Sequence, residues 1–144
     1  MFLTPEIAKA QLRIIGDGEA VDLELKAAAA EKAVISHLDR AVFETQEALD
    51  AAIAAIPAAL VAAKAAYVAA DAAADLIDDA DLCLIERAHA LDVYSRAVFA
   101  AARTRRGILI DPVILAEMQL AIEDLAERRP YVPTRLMDHY RNYA

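Results

Sequence analysis

The sequence predicts an all-α fold, a small helical bundle with an inserted alanine-rich helical hairpin that resembles a coiled coil. Alanine occupies 36 of the 144 positions, while the chain has only three glycines and five prolines. No glycine occurs between Glu19 and Arg106, and Pro57 is the only proline in that stretch. Because alanine has the highest helix propensity and glycine and proline the lowest, this composition favours helix over most of the chain.

Two helices are expected in the first 40 residues. Thr4 can cap the first free amides and Pro5 suits the first helical position, so a short helix should run to about Leu12, before the glycines at 16 and 18. A second helix should run from about Glu19 to Arg40. Residues at helical spacing form its expected inward stripe, namely Leu23, Ala27, Ala30, Val34 and Leu38.

The long glycine-free segment carries two apolar seams with coiled-coil spacing, and Pro57 is expected to restart or kink the helix there. The first seam is Ile56, Leu60, Ala63, Tyr67, Ala70, Ala74 and Ile77. The second is Leu84, Ala88, Leu91, Ser95, Val98 and Ala102. Either the chain turns near residues 78–81, with an aspartate capping the second helix, or one helix of about 47 residues spans about 70 Å. We favour the hairpin because its halves then bury each other's seams.

The remaining elements follow Gly107, which should end the arginine-rich helix terminus at residues 103–106. Residues 108–110 predict one short strand, and Asp111-Pro112 predicts another helix start. That helix should bury Ile114, Met118, Ala121, Ile122 and Leu125 and expose Glu117, Glu123, Asp124, Glu127 and Arg128. The prolines at 130 and 133 favour an extended segment over 129–133, and residues 134–142 fit one last short helix.

Charge and motifs exclude several classes of function. The formal net charge of −8 argues against a protein that grips nucleic-acid phosphates, and the single cysteine, Cys83, excludes an internal disulfide. Glycine-rich phosphate loops and His-Glu-x-x-His are missing from the sequence. Residues 51–70 come nearest to a membrane span, but alanine side chains remove little apolar area from water, so a packed helix is expected instead.

One pair of residues has metal-ligand spacing. Glu86 and His89 lie three positions apart, as in di-iron helical bundles, and a metal-dependent helical-bundle enzyme is therefore one alternative. Those bundles need a second such pair, which this chain lacks, and a solvated helix face explains both residues. We therefore expect no enzyme activity, no catalytic or metal-binding residues and no cofactor. A generic helical-bundle or coiled-coil interaction module is the other alternative.

Short segments follow one another in a specific order along the chain: 2–4, 8–9, 11–14, 22–25, 28–29, 34, 38–40, 43–53, 108–110, 112–114, 120–128, 132–133, 136–137 and 140–141. This order, over about residues 2–56 and 107–143, resembles the small helical head–tail connector (adaptor, or head completion) proteins of long-tailed double-stranded-DNA bacteriophages and prophages. Two departures stand out. Residues 57–106 form a long alanine-rich insertion, and Ile122-Glu123-Asp124-Leu125 replaces the family's usual aromatic and histidine residues.

The resemblance implies a single head–tail connector domain over 1–144 that acts as a structural protein of the virion neck, made in the host bacterial cytoplasm. Relatives form a ring, usually of twelve copies, beneath the portal protein, where it extends the DNA channel and receives a tail-side neck protein. Twelve copies at −8 each would carry about −96, and if acidic side chains line the lumen, double-stranded DNA passes through it without specific binding. No membrane is implied.

Aromatic and arginine residues concentrate near the end of the chain, and interfaces favour that combination. Either these residues anchor the last segment to the chain's own core, or they contact a ring neighbour or the portal. The predicted partner-contact residues are Tyr131, Arg135, Tyr140, Arg141 and Tyr143.

Overall fold

The fold is all-α, as predicted from the sequence. The structure, a computed structural model, describes residues 1–12, 20–127, 131–133 and 140. Within them are five helices and two short strands: α1 (Pro5–Leu12), α2 (Ala20–Leu38), β1 (Val42–Phe43), α3 (Gln46–Ala74), α4 (Ala80–Arg105), β2 (Ile108–Leu109) and α5 (Pro112–Ala126). The chain forms two compact units, which we call the bundle unit (Met1–Thr45 with Gly107–Ala144) and the hairpin unit (Gln46–Arg106).

The bundle unit packs α2 against α5, and α1 against both. The predicted inward stripe of α2 is confirmed, because all five of its residues are buried. The predicted inward face of α5 is buried at Ile114, Met118, Ala121 and Ile122, while Leu125 is partly buried against this core. In each helix, apolar residues lie on one face and charged residues lie on the others, so only one face can be buried. The helical spacing of the apolar residues therefore identified the buried face.

Both predicted helix starts in the bundle unit are confirmed. The Thr4 hydroxyl accepts a hydrogen bond from the Ile7 amide at 3.4 Å, and Pro5 opens α1. The Asp111 carboxylate caps α5 by accepting the Ile114 amide at 2.8 Å. At the end of α2, Asp39 adopts a positive φ of 53°, a left-handed conformation that stops a helix and turns the chain.

Two details of the bundle unit correct the sequence predictions. Glu117, expected on the outer face of α5, is only 3% exposed, because a tyrosine hydroxyl supplies the polar partner that its carboxylate needs. The single strand expected near residue 108 has a parallel partner in β1, with Val42 opposite Ile108 and Phe43 opposite Leu109. This pairing joins the segments that immediately precede and follow the hairpin unit in the sequence.

The hairpin unit confirms the favoured reading of the alanine-rich segment. α3 ends at Ala74 and α4 begins at Ala80, and Asp79 caps α4 by accepting the amides of Asp81 and Leu82, each at 3.0 Å. Pro57 does not restart the helix, because α3 runs without interruption from Gln46 to Ala74. A proline inside a helix removes one backbone hydrogen bond, but the alanines on both sides of Pro57 favour helix strongly enough to continue it.

Candidate interaction surface

The face of α4 that packs against α3 differs from the predicted seam by about one residue. Half-buried and buried residues recur along one face of α4 at Cys83, Arg87, Ala90, Tyr94, Ala97 and Ala101, and the further half-buried positions are Ser95, Ala102 and Thr104. The large residues predicted to face α3 instead remain open, with Leu84 63%, Leu91 52% and Val98 41% exposed. On α3 the predicted seam largely holds, since Ile56 and Ala74 are buried and Leu60, Ala63 and Tyr67 are half-buried.

Specific contacts between the two helices explain this rotation of α4. The ring of Tyr94 stacks on Tyr67 with centroids 5.5 Å apart. Arg87 forms ion pairs with Asp75 and, at 3.4 Å, with Asp71. Small residues between these contacts let two helices approach closely, so packing selects alanine on the facing side of α4 and leaves the larger leucines outside.

We call the seam predicted on α4 the α4 stripe: its residues Leu84, Ala88, Leu91 and Val98 are exposed, and Ser95 and Ala102 are half-buried. They follow one another in steps of four and three residues, the spacing of a coiled-coil seam, but that seam has no partner helix within the hairpin unit. Phe99 lies beside the stripe and is also exposed. Exposed apolar surface of this extent is typical of a site of protein association.

The opposite side of α4 borders a groove of about 280 Å³ between α3 and α4. Residues two apart on a helix point about 200° apart, so Glu86 and Val93 lie opposite Leu84 and Leu91. The groove contains both Glu86 and His89, whose side chains are exposed. Across the described ranges, no group of three potential metal ligands comes together, and this pair therefore lacks the further ligands that a di-metal bundle requires.

Charge is unevenly distributed along the hairpin unit. From position 71 to 86, which covers the turn and the helical ends beside it, every charged residue is acidic: Asp71, Asp75, Asp78, Asp79, Asp81 and Glu86. The last third of α4 carries only basic charged residues, namely Arg96, Arg103, Arg105 and Arg106 if the residue that caps its C-terminus is included. At the ends of α4, Asp79 and Asp81 match the N-terminus of the helix dipole, and Arg103 and Arg105 match its C-terminus.

α3 is the one described helix that is long and apolar enough to cross a membrane, judged by length and composition alone. Its mean hydropathy over the best window is 1.8, and most of that window is exposed. Alanine occupies 16 of the 29 positions of this helix, and Lys64 lies within it. The antiparallel α4 carries Glu86, Asp92 and Arg96 alongside it, and a bilayer would desolvate these charges at a large cost.

Two of the predicted partner-contact residues have partners within the chain. The Tyr131 hydroxyl donates a hydrogen bond to the Glu117 carboxylate at 2.9 Å, and the Tyr140 hydroxyl donates one to the Asp111 carboxylate. Both rings also pack against the core of the bundle unit. Burial, together with the bond to Glu117, raises the pKa of Tyr131, and the bond to Asp111 raises the pKa of Tyr140.

The other predicted partner-contact residues, Arg135, Arg141 and Tyr143, lie outside the described residues, as does the predicted last helix except for Tyr140. The contact of this segment with a ring neighbour or the portal therefore stays a prediction. Tyr131 and Tyr140 fit the alternative in which aromatic residues anchor the end of the chain to its own core.

Sequence reasoning missed two buried charged residues. One is Glu117, whose tyrosine partner lies 14 residues further along the chain. The other is Arg40, which is buried and whose Nε and Nη2 atoms make no hydrogen bond within the described residues. Neither position carries a local signal, because the period of an amphipathic helix identifies apolar inward residues and not the charged residues buried among them.

No protein family matches the chain, and no curated protein and no solved structure matches it. Its class therefore follows from its own geometry: an all-α protein in which a helical bundle carries an inserted hairpin with an open apolar face.

Proposed function

We propose that this chain is a structural assembly protein, a head–tail connector that forms a ring in the neck of a long-tailed bacteriophage. The observation that carries an assembly role is the open surface of the hairpin unit. Eleven large apolar side chains between residues 46 and 106 are exposed: Ile53, Val61, Val68, Leu76, Leu82, Leu84, Ile85, Leu91, Val93, Val98 and Phe99. Such surface is stabilised when other protein chains cover it.

The division of the chain supports the connector assignment. The bundle unit, Met1–Thr45 with Gly107–Ala144, contains most of the residues that resemble connector proteins, while residues 46–56 of that resemblance and the insertion that sets this chain apart belong to the hairpin unit. β1 and β2 pair on either side of the insertion, so the hairpin can be added without opening the bundle. The hairpin unit then adds a second surface for association, and the surface of the bundle unit is kept.

The proposed role requires no chemistry on the part of the protein. In it, a ring of about twelve copies extends the channel below the portal protein and receives a tail-side neck protein. Each copy has a formal charge of −8, and acidic side chains on the face that lines the lumen would repel the DNA backbone. We propose no cofactor and no membrane for this assembly, and virion neck as its location.

Binding to the portal protein tests this assignment. The purified chain is mixed with the portal protein encoded in the same genome, and the complex is examined by native mass spectrometry and negative-stain electron microscopy. The expected result is a ring of about twelve copies on one end of the portal. Failure of the chain to bind the portal would overturn the proposal.

A charge-reversal pair tests which segment makes the contact. Arg135→Glu combined with Arg141→Glu should weaken portal binding at least tenfold, because two positive charges predicted at the interface become negative. Lys32→Glu makes the same type of change at an exposed site on α2 and should bind as the wild type does. Equal binding by all three proteins would refute the role of the C-terminal segment.

A further inference from the structure

The α4 stripe alternates bulky and small residues in a strict order. Leu84, Leu91 and Val98 occupy one set of seam positions, seven residues apart, and Ala88, Ser95 and Ala102 occupy the other set. In a coiled coil the relative direction of the helices decides which of these sets meet.

Antiparallel pairing of two α4 helices matches every bulky residue with a small one. When position i of one helix lies opposite position 186 − i of the other, Leu84 meets Ala102, Ala88 meets Val98, and Leu91 meets Ser95. Parallel pairing would instead place leucine on leucine and alanine on alanine. It would therefore alternate overfilled layers with empty ones, and close packing disfavours both.

Charge selects the same arrangement. The register that pairs all six stripe residues also places Asp81 opposite Arg105, at each end of a contact about 36 Å long. More broadly, the acidic turn of each hairpin then lies beside the arginine-rich end of the other. A parallel pair would bring the two acidic turns together and would be repelled. Near the middle of the contact, Asp92 is already paired with Arg96 at 2.7 Å within its own helix.

We propose that two copies of this chain associate through their α4 stripes, antiparallel and related by a twofold axis near position 93. The surface is self-complementary, as a twofold interface requires, because each residue and its opposite number both belong to the stripe. This inference goes beyond the connector assignment, since it uses only the hairpin unit. It holds whether or not the chain binds a portal.

The experiment measures the mass of the full chain by light scattering and sedimentation over a range of concentrations. The wild type should shift from 15.6 kDa toward twice that mass as its concentration rises. Leu91→Glu should weaken this association at least 100-fold, because it buries a charge at the centre of the contact. Leu76→Glu is the matched control: Leu76 is 84% exposed in the turn, outside the stripe, and its variant should associate as the wild type does.

A charge swap tests the direction of the pairing. Asp81→Arg and Arg105→Glu should each weaken association about tenfold, and the double variant should restore it, since the opposed charges are then exchanged. Circular dichroism on each variant establishes that its helices are intact. A monomeric wild type, equal effects of Leu91→Glu and Leu76→Glu, or no restoration in the double variant would overturn the proposal. If Leu91→Glu still forms a ring on the portal, the connector assignment holds independently of the dimer proposed here.

Discussion

Replacing Tyr131 by phenylalanine removes a single hydroxyl from the bundle unit and tests how the end of the chain is anchored. That hydroxyl donates to Glu117 at 2.9 Å, and the Glu117 residue is almost entirely buried. The variant keeps the ring that packs against the core but takes one donor from a buried carboxylate. We therefore expect Tyr131→Phe to lower the free energy of unfolding at pH 7.

The expected loss is about 1–3 kcal/mol, the cost of leaving a buried polar group short of a partner. For a chain of this size, that corresponds to a fall in Tm of about 3–10 °C. Urea unfolding followed by circular dichroism measures the free energy directly. Tyr94→Phe removes a hydroxyl that makes no hydrogen bond within the described residues, and it should change stability by less than about 0.5 kcal/mol.

The pH dependence adds a second readout for the same variant. Burial and the bond to Glu117 raise the folded-state pKa of Tyr131 above its ordinary value of about 10. The stabilisation is therefore complete below pH 10 and is lost as the pH rises above 10 toward the folded-state pKa. The difference between the wild type and Tyr131→Phe should be constant from pH 7 to 9 and should shrink above pH 10. Equal stability at pH 7, or a difference that grows above pH 10, would refute this account.

Three further substitutions, two of them with a matched control, test the packing of each unit and the cap of α4. Met118→Ala should cost about 2–5 kcal/mol because it leaves a cavity in the bundle core, whereas Leu120→Ala, on the exposed side of α5, should cost less than about 1 kcal/mol in the same urea titration. Ala90→Leu should destabilise the hairpin by about 1–3 kcal/mol through overpacking, whereas Ala88→Leu should not. A larger destabilisation by Ala88→Leu than by Ala90→Leu would mean that the seam predicted from the sequence is the one that faces α3. Asp79→Ala removes the cap of α4 and should cost about 1 kcal/mol, measured as a lower midpoint of thermal unfolding.

Most helices and buried faces of the bundle unit could be predicted from the sequence, for a physical reason. In α2 and α5, large apolar residues recur at helical spacing between charged ones, so only one face of each helix can be buried. Caps at Thr4, Asp79 and Asp111 were equally local, because a capping side chain bonds an amide two or three residues away.

The contacting faces of the hairpin unit were harder to predict, because alanine is compatible with both a packed and an exposed face. The turn was located correctly, but the steps of four and three residues assigned the wrong face of α4 to α3, because a neighbouring face of α4 has the same spacing. The true face is selected by contacts between residues far apart in the sequence: Tyr67 with Tyr94, and Arg87 with Asp71. The parallel β1–β2 pair is similarly non-local, with two residues in each strand and Ile108 lying 66 residues after its partner Val42.

The most direct test of the connector assignment is the number of copies that the chain places on its portal. Native mass spectrometry of the full-length chain with the portal protein of its own genome gives that number. The account predicts a discrete complex that carries about twelve copies of the 15.6 kDa chain, unchanged in copy number by Leu91→Glu. A portal that carries no copies of this chain, beside free monomers and dimers, would contradict it.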